Sequence, residues 1–141
     1  MIFENYLKNG KVVKGFADIQ KSRALIKMSD NSIATIQAMK INEVNASIVL
    51  TISYESLREL LEAMCLREGF KVYSHEAYTA YLKMKNETEF AAKFDRFRKL
   101  RNGVNYYGES VSKEVSEEAF QENLKLNKKI KEKYLSIKNA I

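Results

Sequence analysis

The segment at residues 45–69 reads NASIVLTISYESLRELLEAMCLREG. At its start, apolar side chains would surround a helix on nearly every side, and further on they recur every three or four residues. Asn42 or Asn45 can cap the first turn of this helix, and Gly69 stands where a left-handed C-terminal cap is expected. We therefore expect the segment to be the central helix of a helical bundle.

Four more helices are predicted from the spacing of apolar residues on both sides of this segment. They cover residues 16–40, the stretch after Ser74, Thr88 to about Tyr107, and Ser112 to Ile137. Ser74 and Ser112 are suitable N-caps, and Asn86 with Glu89 resembles a capping box. No strand pattern rises above background, so the expected fold is all-α: an antiparallel up-and-down bundle of about five helices.

The first 15 residues do not follow this helical pattern. Gly10 and Gly15 flank a Lys-Val-Val-Lys run, so we expect an irregular N-terminal arm over residues 1–15, with room for one short helical turn over Phe3–Lys8. Residues 16–141 then form the helical bundle, because a chain of 141 residues fits one such domain.

The composition excludes several classes of protein. Five glycines and no proline argue against a sandwich or barrel with many tight turns. Cys65 and His75 are each the only residue of their type, which excludes an internal disulfide and a Cys- or His-rich metal site. We therefore predict neither a metal nor a cofactor. Within the most apolar helix, Cys65 is expected to be a small buried hydrophobe rather than a reactive thiol.

The apolar residues are also too dispersed for a membrane protein. No window approaches the roughly 20 apolar residues of a membrane span, and the N-terminus lacks the layout of a secretory signal. We therefore expect a cytoplasmic protein with no membrane partner. The chain has 24 Lys and Arg against 18 Asp and Glu, a net charge of +6. This surplus permits nucleic-acid binding, although a solvated basic surface is its commoner cause.

The segment at residues 93–108 reads KFDRFRKLRNGVNYYG and combines cationic with aromatic side chains. Its phenylalanines recur at helical spacing and predict a buried aromatic face. Arg98 and Arg101 lie three residues apart and therefore share a face of the helix. Asn102 and Tyr106 are four residues apart and continue that face. Together these polar side chains predict one groove along the helix.

This part of the chain resembles a known family. Residues 100–108 read LRNGVNYYG and are followed by Val111, Ser112 and an acidic stretch that begins the last predicted helix. The string resembles the signature of the HEPN superfamily. Residues 69–77, GFKVYSHEA, are also similar to the loop and third-helix start of archaeal members. The resemblance covers about residues 16–137 and implies the same helical-bundle fold.

Ribonuclease members of this superfamily carry an Arg, four intervening residues and a His, and two copies meet in an RNA-cleaving groove. The resemblance places Arg101 at the arginine, Asn102 at the polar residue after it, and Tyr106 at the position of the His. A histidine exchanges protons near neutral pH, whereas tyrosine, with an ordinary pKa of about 10, is a weak base there. The difference argues against cleavage but leaves Arg101 as a phosphate clamp.

Other members keep the Arg-Asn pair without the His and pair with a small nucleotidyltransferase, in some cases as toxin and antitoxin. The resemblance thus implies a homodimeric module that binds nucleotide or RNA or serves assembly, with a minimal nucleotidyltransferase as partner. We expect its ligand-binding residues to be Arg98, Arg101, Asn102, Tyr106 and His75. The alternative is a divergent, metal-independent ribonuclease with Arg101 and Tyr106 as catalytic residues.

Arg101 and Asn102 also have structural alternatives. Arg101 can bridge to Asp95 or Glu109 and tie helix ends together, and Asn102 can hydrogen-bond a carbonyl of a neighbouring helix. A phosphate-binding role predicts that both side chains are accessible and that affinity falls with salt. A structural role predicts that they are buried and paired, so that Arg101→Ala lowers stability instead of binding.

Similar alternatives hold for the aromatic residues around this segment. Tyr106 and Tyr107 can stack on a base, or they can pack in the core or in a dimer interface. His75 can belong to the groove, or it can form a local hydrogen bond at the start of its helix. The lysines of the last helix are spread around it, which favours a solvated surface.

Overall fold

Five main helices pack together in the structure, a computed structural model that describes residues 1–136. The elements in chain order are α1 (Phe3–Lys8), β1 (Val12–Lys14), α2 (Ile19–Gln37), α3 (Ala46–Arg67), β2 (Phe70–Val72), α4 (Glu76–Met84), α5 (Thr88–Tyr107) and α6 (Lys113–Tyr134). The predicted helical bundle is therefore confirmed. The predicted extension of the last helix to Ile137 lies outside the described residues.

The central helix is α3, as its sequence predicts. It packs against α2, α5, α6 and β2. Leu50, Leu57, Leu60 and Leu61 are all but inaccessible to solvent, and so is Cys65. Burial raises the pKa of the Cys65 thiol well above its ordinary value, so the side chain stays protonated. The prediction that this cysteine is a buried hydrophobe is confirmed.

Small polar side chains line the contact of α2 with α3 and α6. Ser22 and Ser29 are fully buried, and their hydroxyls donate to the carbonyl oxygens of Ala63 at 2.9 Å and Ser56 at 2.7 Å. The side-chain amide of Asn127, on α6, donates to the Ser29 hydroxyl at 3.3 Å. Because a buried hydroxyl without a partner would cost about 1–3 kcal/mol, these bonds fix how the three helices sit together.

The first 15 residues differ from the predicted irregular arm. The short helix is present as α1, but β1 pairs with β2 in an antiparallel ladder, with Val12 opposite Val72. Phe3, Tyr6 and Val12 are buried in the main core, where the Phe3 and Phe70 rings meet at 5.1 Å. The expectation of no strands was therefore wrong, because three-residue strands are too short to show an alternating pattern.

Gly69 ends α3 in the left-handed conformation, with a φ of +85°, as predicted. At this point the chain passes very close to Gly15, whose N–H donates to the Gly69 carbonyl oxygen at 2.7 Å. A Cβ on Gly69 would lie only 2.2 Å from the Gly15 carbonyl oxygen. The absence of a side chain therefore lets the N-terminal segment cross the end of the central helix.

The other helix caps follow the predictions in part. Ser112 accepts a hydrogen bond from the amide three residues ahead, at 3.1 Å, which confirms it as the cap of α6. Asn45 precedes α3 without a side-chain cap. The residue before α4 is His75, not Ser74, and it makes no cap either. The capping box at Asn86 is absent, because this residue turns the chain with a φ of 63° before α5 begins.

Candidate functional site

Arg101 lies near the C-terminal end of α5 and reaches across to α3. Its Nη2 donates to Glu55 Oε1 on α3 at 3.3 Å. Its Nη1 donates to Asn102 Oδ1 at 3.2 Å and to the Tyr106 hydroxyl at 3.3 Å. The side chain is only 14% exposed. All three distances are long for hydrogen bonds to a charged group, so the guanidinium is weakly paired.

Two tyrosine rings lie close to this guanidinium. The Arg101 Cζ atom is 5.3 Å from the centre of the Tyr54 ring and 5.5 Å from that of Tyr106. Tyr54 is buried, whereas Tyr106 is 67% exposed. Cation–π attraction to both rings holds the guanidinium between core and solvent. In the described part of the chain, the buried Nε of Arg101 has no hydrogen-bond partner.

His75 joins this group of residues through Tyr54. Its Nδ1 lies 2.7 Å from the Tyr54 hydroxyl. Burial lowers the pKa of His75, and the positive charges of Arg58 and Arg101 lower it further against the opposing effect of Glu55. Burial raises the pKa of Tyr54 above its ordinary value. At neutral pH the contact therefore joins an uncharged imidazole to a protonated phenol.

We define the Arg101 cluster as Tyr54, Glu55, His75, Arg101, Asn102 and Tyr106. Two arginines beside this cluster, Arg58 and Arg98, make shorter hydrogen bonds to carboxylates than Arg101 does. Arg58 donates to Glu55 at 2.9 Å and to Glu62 at 2.6 Å. Arg98 donates twice to one oxygen of Asp95, from Nη2 at 2.9 Å and from Nε at 3.1 Å. These two guanidiniums are therefore committed to ion pairs within the fold.

Four of the five predicted ligand-binding residues come together in the structure. Arg101, Asn102 and Tyr106 are in direct contact, and His75 reaches them through the buried tyrosine of α3. Arg98 differs, because its guanidinium donates to Asp95 at 2.9 and 3.1 Å and, within residues 1–136, to no member of the Arg101 cluster. The structure thus brings together the residues at the end of α5, and His75 joins them through Tyr54.

The structural alternatives predicted for these residues are only partly correct. Arg101 does form an ion pair, but its partner is Glu55 and not Asp95 or Glu109. Tyr107 is 77% exposed, so the alternative that it packs in the core of this chain was wrong. Arg101 is thus paired and mostly buried, as a structural role predicts, while the tyrosines after it lie on the surface.

Sequence reasoning missed the residues that α3 contributes to the site. Tyr54 and Glu55 lie within a helix whose apolar pattern predicts only a core. A signal was present, since Glu55, Arg58 and Glu62 recur at helical spacing and predict a charged stripe. That spacing does not tell which helix the stripe would contact, so it could not be joined to Arg101.

Comparisons with known proteins do not assign the chain to a family. Neither the protein-family models, nor the curated proteins, nor the solved structures contain a match to the chain. Among the helices within residues 1–136, none is sufficiently long and apolar to cross a membrane. The arrangement of the Arg101 cluster is therefore the main basis for a function.

Proposed function

We propose that the chain is a HEPN-like module that binds nucleotide or RNA at the Arg101 cluster. In this proposal the Arg101 guanidinium binds a phosphate group, Asn102 holds the guanidinium in place, and the exposed ring of Tyr106 stacks on a base. The observation that carries the proposal is the weak pairing of Arg101 beside an exposed tyrosine.

Among Arg58, Arg98 and Arg101, the three arginines at this site, Arg101 is the one that a phosphate can engage at the lowest cost. Its three hydrogen bonds are 3.2–3.3 Å long, whereas those of Arg58 and Arg98 are 2.6–3.1 Å. A phosphate oxygen offers shorter, charge-assisted bonds than the present partners. If it displaces Glu55, that carboxylate keeps its bond from Arg58 at 2.9 Å. The exchange therefore leaves no carboxylate unpaired.

The two tyrosines at the end of α5 supply the aromatic surface that a base requires. Tyr106 is 67% exposed and Tyr107 is 77% exposed, so packing within the chain does not account for either ring. Stacking on an aromatic ring contributes about 1–3 kcal/mol per base and tolerates any base. We therefore expect little sequence preference in the RNA that binds.

The HEPN resemblance supplies the assembly part of the proposal. It implies a homodimer with a minimal nucleotidyltransferase as partner, in a toxin–antitoxin-like system. A dimer formed beside Tyr107, with the Tyr106 ring left free for a base, would bring two Arg101 guanidiniums close together. Sedimentation velocity of the purified chain tests this assembly directly, since a Tyr107→Asp variant should then be a monomer.

The experiment that tests ligand binding is fluorescence anisotropy with labelled single-stranded RNA and with labelled ATP. Arg101→Ala is compared with Arg96→Ala, which also removes one positive charge from α5. The control is suitable because Arg96 is 49% exposed and, within residues 1–136, its ion pair is the long one with Glu118, at 3.8 Å. Charge-assisted hydrogen bonds contribute about 1.5–3 kcal/mol, so Arg101→Ala should weaken binding by about tenfold or more.

The control should bind within about twofold of wild type, since exposed ion pairs contribute about 0–1 kcal/mol. Equal losses in the two variants would contradict a specific phosphate contact at Arg101. A wild-type chain that binds neither probe would contradict the proposal as a whole. Circular dichroism of each variant shows whether a loss of binding reflects a loss of fold.

A divergent ribonuclease is the second candidate. The contact that favours it is the 3.3 Å distance from Arg101 Nη1 to the Tyr106 hydroxyl, which would let one phosphate touch both groups. The RNA 2′-hydroxyl would attack the phosphate held by Arg101, forming the 2′,3′-cyclic phosphate and losing its proton to water. The P–O5′ bond would break as the Tyr106 hydroxyl donates its proton to the leaving 5′ oxygen, and water would then reprotonate Tyr106. Cleavage of an RNA pool in the presence of a chelator tests this candidate. If the chain is such a ribonuclease, Tyr106→Phe should abolish cleavage, although the phenylalanine ring can still stack on a base.

A further inference from the structure

A second surface, on another face of α5, has the properties of a docking groove. The groove lies between α4 and α5 and has a volume of about 680 Å3. Its floor is formed by small and apolar residues, Ala91, Ala92 and Leu100. The groove does not include Arg101, which points toward α3. Binding there is therefore independent of the proposed function.

The floor of the groove follows one stripe of α5. Thr88, Ala91, Ala92, Asp95 and Lys99 recur at helical spacing and all line it. At 1.5 Å per residue, the stripe from residue 88 to residue 99 is about 17 Å long. That length matches a helix of about 12 residues, and the small, exposed side chain of Ala92 leaves room for its backbone to approach closely.

Three cations border the groove, and two of them lack a close carboxylate. Within residues 1–136, Lys83 has no ion pair. Arg96 reaches only Glu118, at 3.8 Å, and both side chains are largely exposed. The third cation, Lys99, pairs with Asp95 at 3.1 Å. The groove thus combines an apolar floor with positive charges that a ligand can neutralise.

We propose that this groove binds an acidic amphipathic helix of a partner protein. The small apolar floor accepts the apolar face of such a helix, and its carboxylates pair with Lys83 and Arg96. A single-stranded nucleic acid is less suitable, because within residues 1–136 no aromatic side chain lines the groove for a base to stack on. The apolar lining therefore suits the apolar face of a protein helix, and Lys83 and Arg96 suit its carboxylates.

The test uses two synthetic helical peptides of about 12 residues, the length that fits the groove. The first carries alanine and leucine on one face and glutamates on its flanks, and the second has glutamine in place of every glutamate. Each is titrated into the 15N-labelled chain and followed by NMR. Lys83→Glu with Arg96→Glu is the test variant. Lys27→Glu with Lys128→Glu, which changes two exposed lysines elsewhere, is matched in charge.

We expect the acidic peptide to shift resonances of α4 and α5 and the glutamine peptide to bind far more weakly. The test variant should weaken binding about tenfold, since two ion pairs become repulsions, while the matched variant should bind like wild type. No shifts at about 1 mM peptide, or equal losses in both variants, would overturn the proposal. It would also be overturned if the test variant lost RNA binding and kept peptide binding.

Discussion

Three arginines of α3 and α5 differ in how completely the fold uses their hydrogen-bonding groups. Arg98 makes two bonds to one carboxylate, Arg58 bridges two carboxylates, and Arg101 makes three long contacts to three different residues. The first two side chains therefore act mainly in stability. Arg101 has the same charge and similar burial, but its weaker pairing leaves capacity for a ligand.

This difference predicts unequal losses of stability for two alanine substitutions. Arg98→Ala should lower the free energy of unfolding by about 1–2 kcal/mol, because it removes a charged double contact from a mostly buried place. Arg101→Ala should lower it by less than about 1 kcal/mol, because Glu55 keeps its bond from Arg58. Urea denaturation of both variants measures the two values. A greater loss for Arg101→Ala would indicate that its role is structural.

The single histidine predicts a pH dependence of stability. Burial and the neighbouring Arg58 lower the pKa of His75 in the folded chain, so the unfolded chain binds the proton first on acidification. Stability is therefore complete above the ordinary histidine pKa of about 6.5 and falls as the pH drops toward the lower folded pKa. Urea midpoints at about pH 7 and pH 5 measure this loss, which should be smaller in His75→Gln.

The comparison with His75→Gln is needed because another group acts in the opposite sense. Burial raises the pKa of Glu59, so its folded carboxyl group binds a proton before the unfolded one does. Glu59 therefore adds stability on acidification, in wild type and in the variant alike. Identical acid losses in the two proteins would show that His75 titrates as it does in the unfolded chain.

At the scale of residues, the sequence predicts contacts within one helix better than contacts between helices. Asn102 and Tyr106 are four residues apart on α5 and share a face, and the long side chain of Arg101 reaches both of them. Glu55 was not predicted as the partner of Arg101, because the relative position of α3 and α5 depends on how their buried side chains pack. Tyr54 was missed for the same reason, although its ring lies under the guanidinium.

At the scale of elements, the N-terminal segment depends on a close backbone crossing. The positions of β1 and α1 are set where Gly15 passes Gly69. The sequence around each glycine does not predict this contact, because Gly15 and Gly69 are far apart in the chain. The long helices were predictable from 3.6-residue periodicity, whereas strands of three residues that pair across the chain were not.

This crossing predicts different costs for two glycine substitutions. Gly10→Ala should cost only about 1–2 kcal/mol, because its φ is +80° but no atom lies within 4 Å of a new Cβ. Gly69→Ala has a similar φ and also places a Cβ 2.2 Å from the Gly15 carbonyl oxygen. It should therefore cost clearly more and release the β1–β2 pairing.

Thermal unfolding and amide hydrogen exchange measure these two effects. Protection of the Gly15 and Tyr73 amides, which donate to the carbonyl oxygens of Gly69 and Lys11, should fall in Gly69→Ala and stay near the wild-type level in Gly10→Ala. Equal costs in the two variants would show that the crossing at Gly69 can widen without loss.

At the scale of the whole molecule, the two proposed surfaces of α5 serve different ligands. One side of its C-terminal half carries the Arg101 cluster, and another face forms the groove with α4. The net charge of +6 favours approach of RNA to the whole surface, so charge alone does not identify a site. A specific site is shown when substitution of one arginine weakens RNA binding and substitution of another arginine on the same helix does not.

The most direct test of phosphate binding at Arg101 is the salt dependence of RNA affinity. Single-stranded RNA is titrated with wild type, Arg101→Ala and Arg96→Ala between about 50 and 200 mM salt. We predict that Arg101→Ala binds more weakly and that its slope of log affinity against log salt is shallower by about 0.7, the value for one lost phosphate contact. A slope and affinity in Arg101→Ala that equal those of wild type would contradict phosphate binding at this arginine.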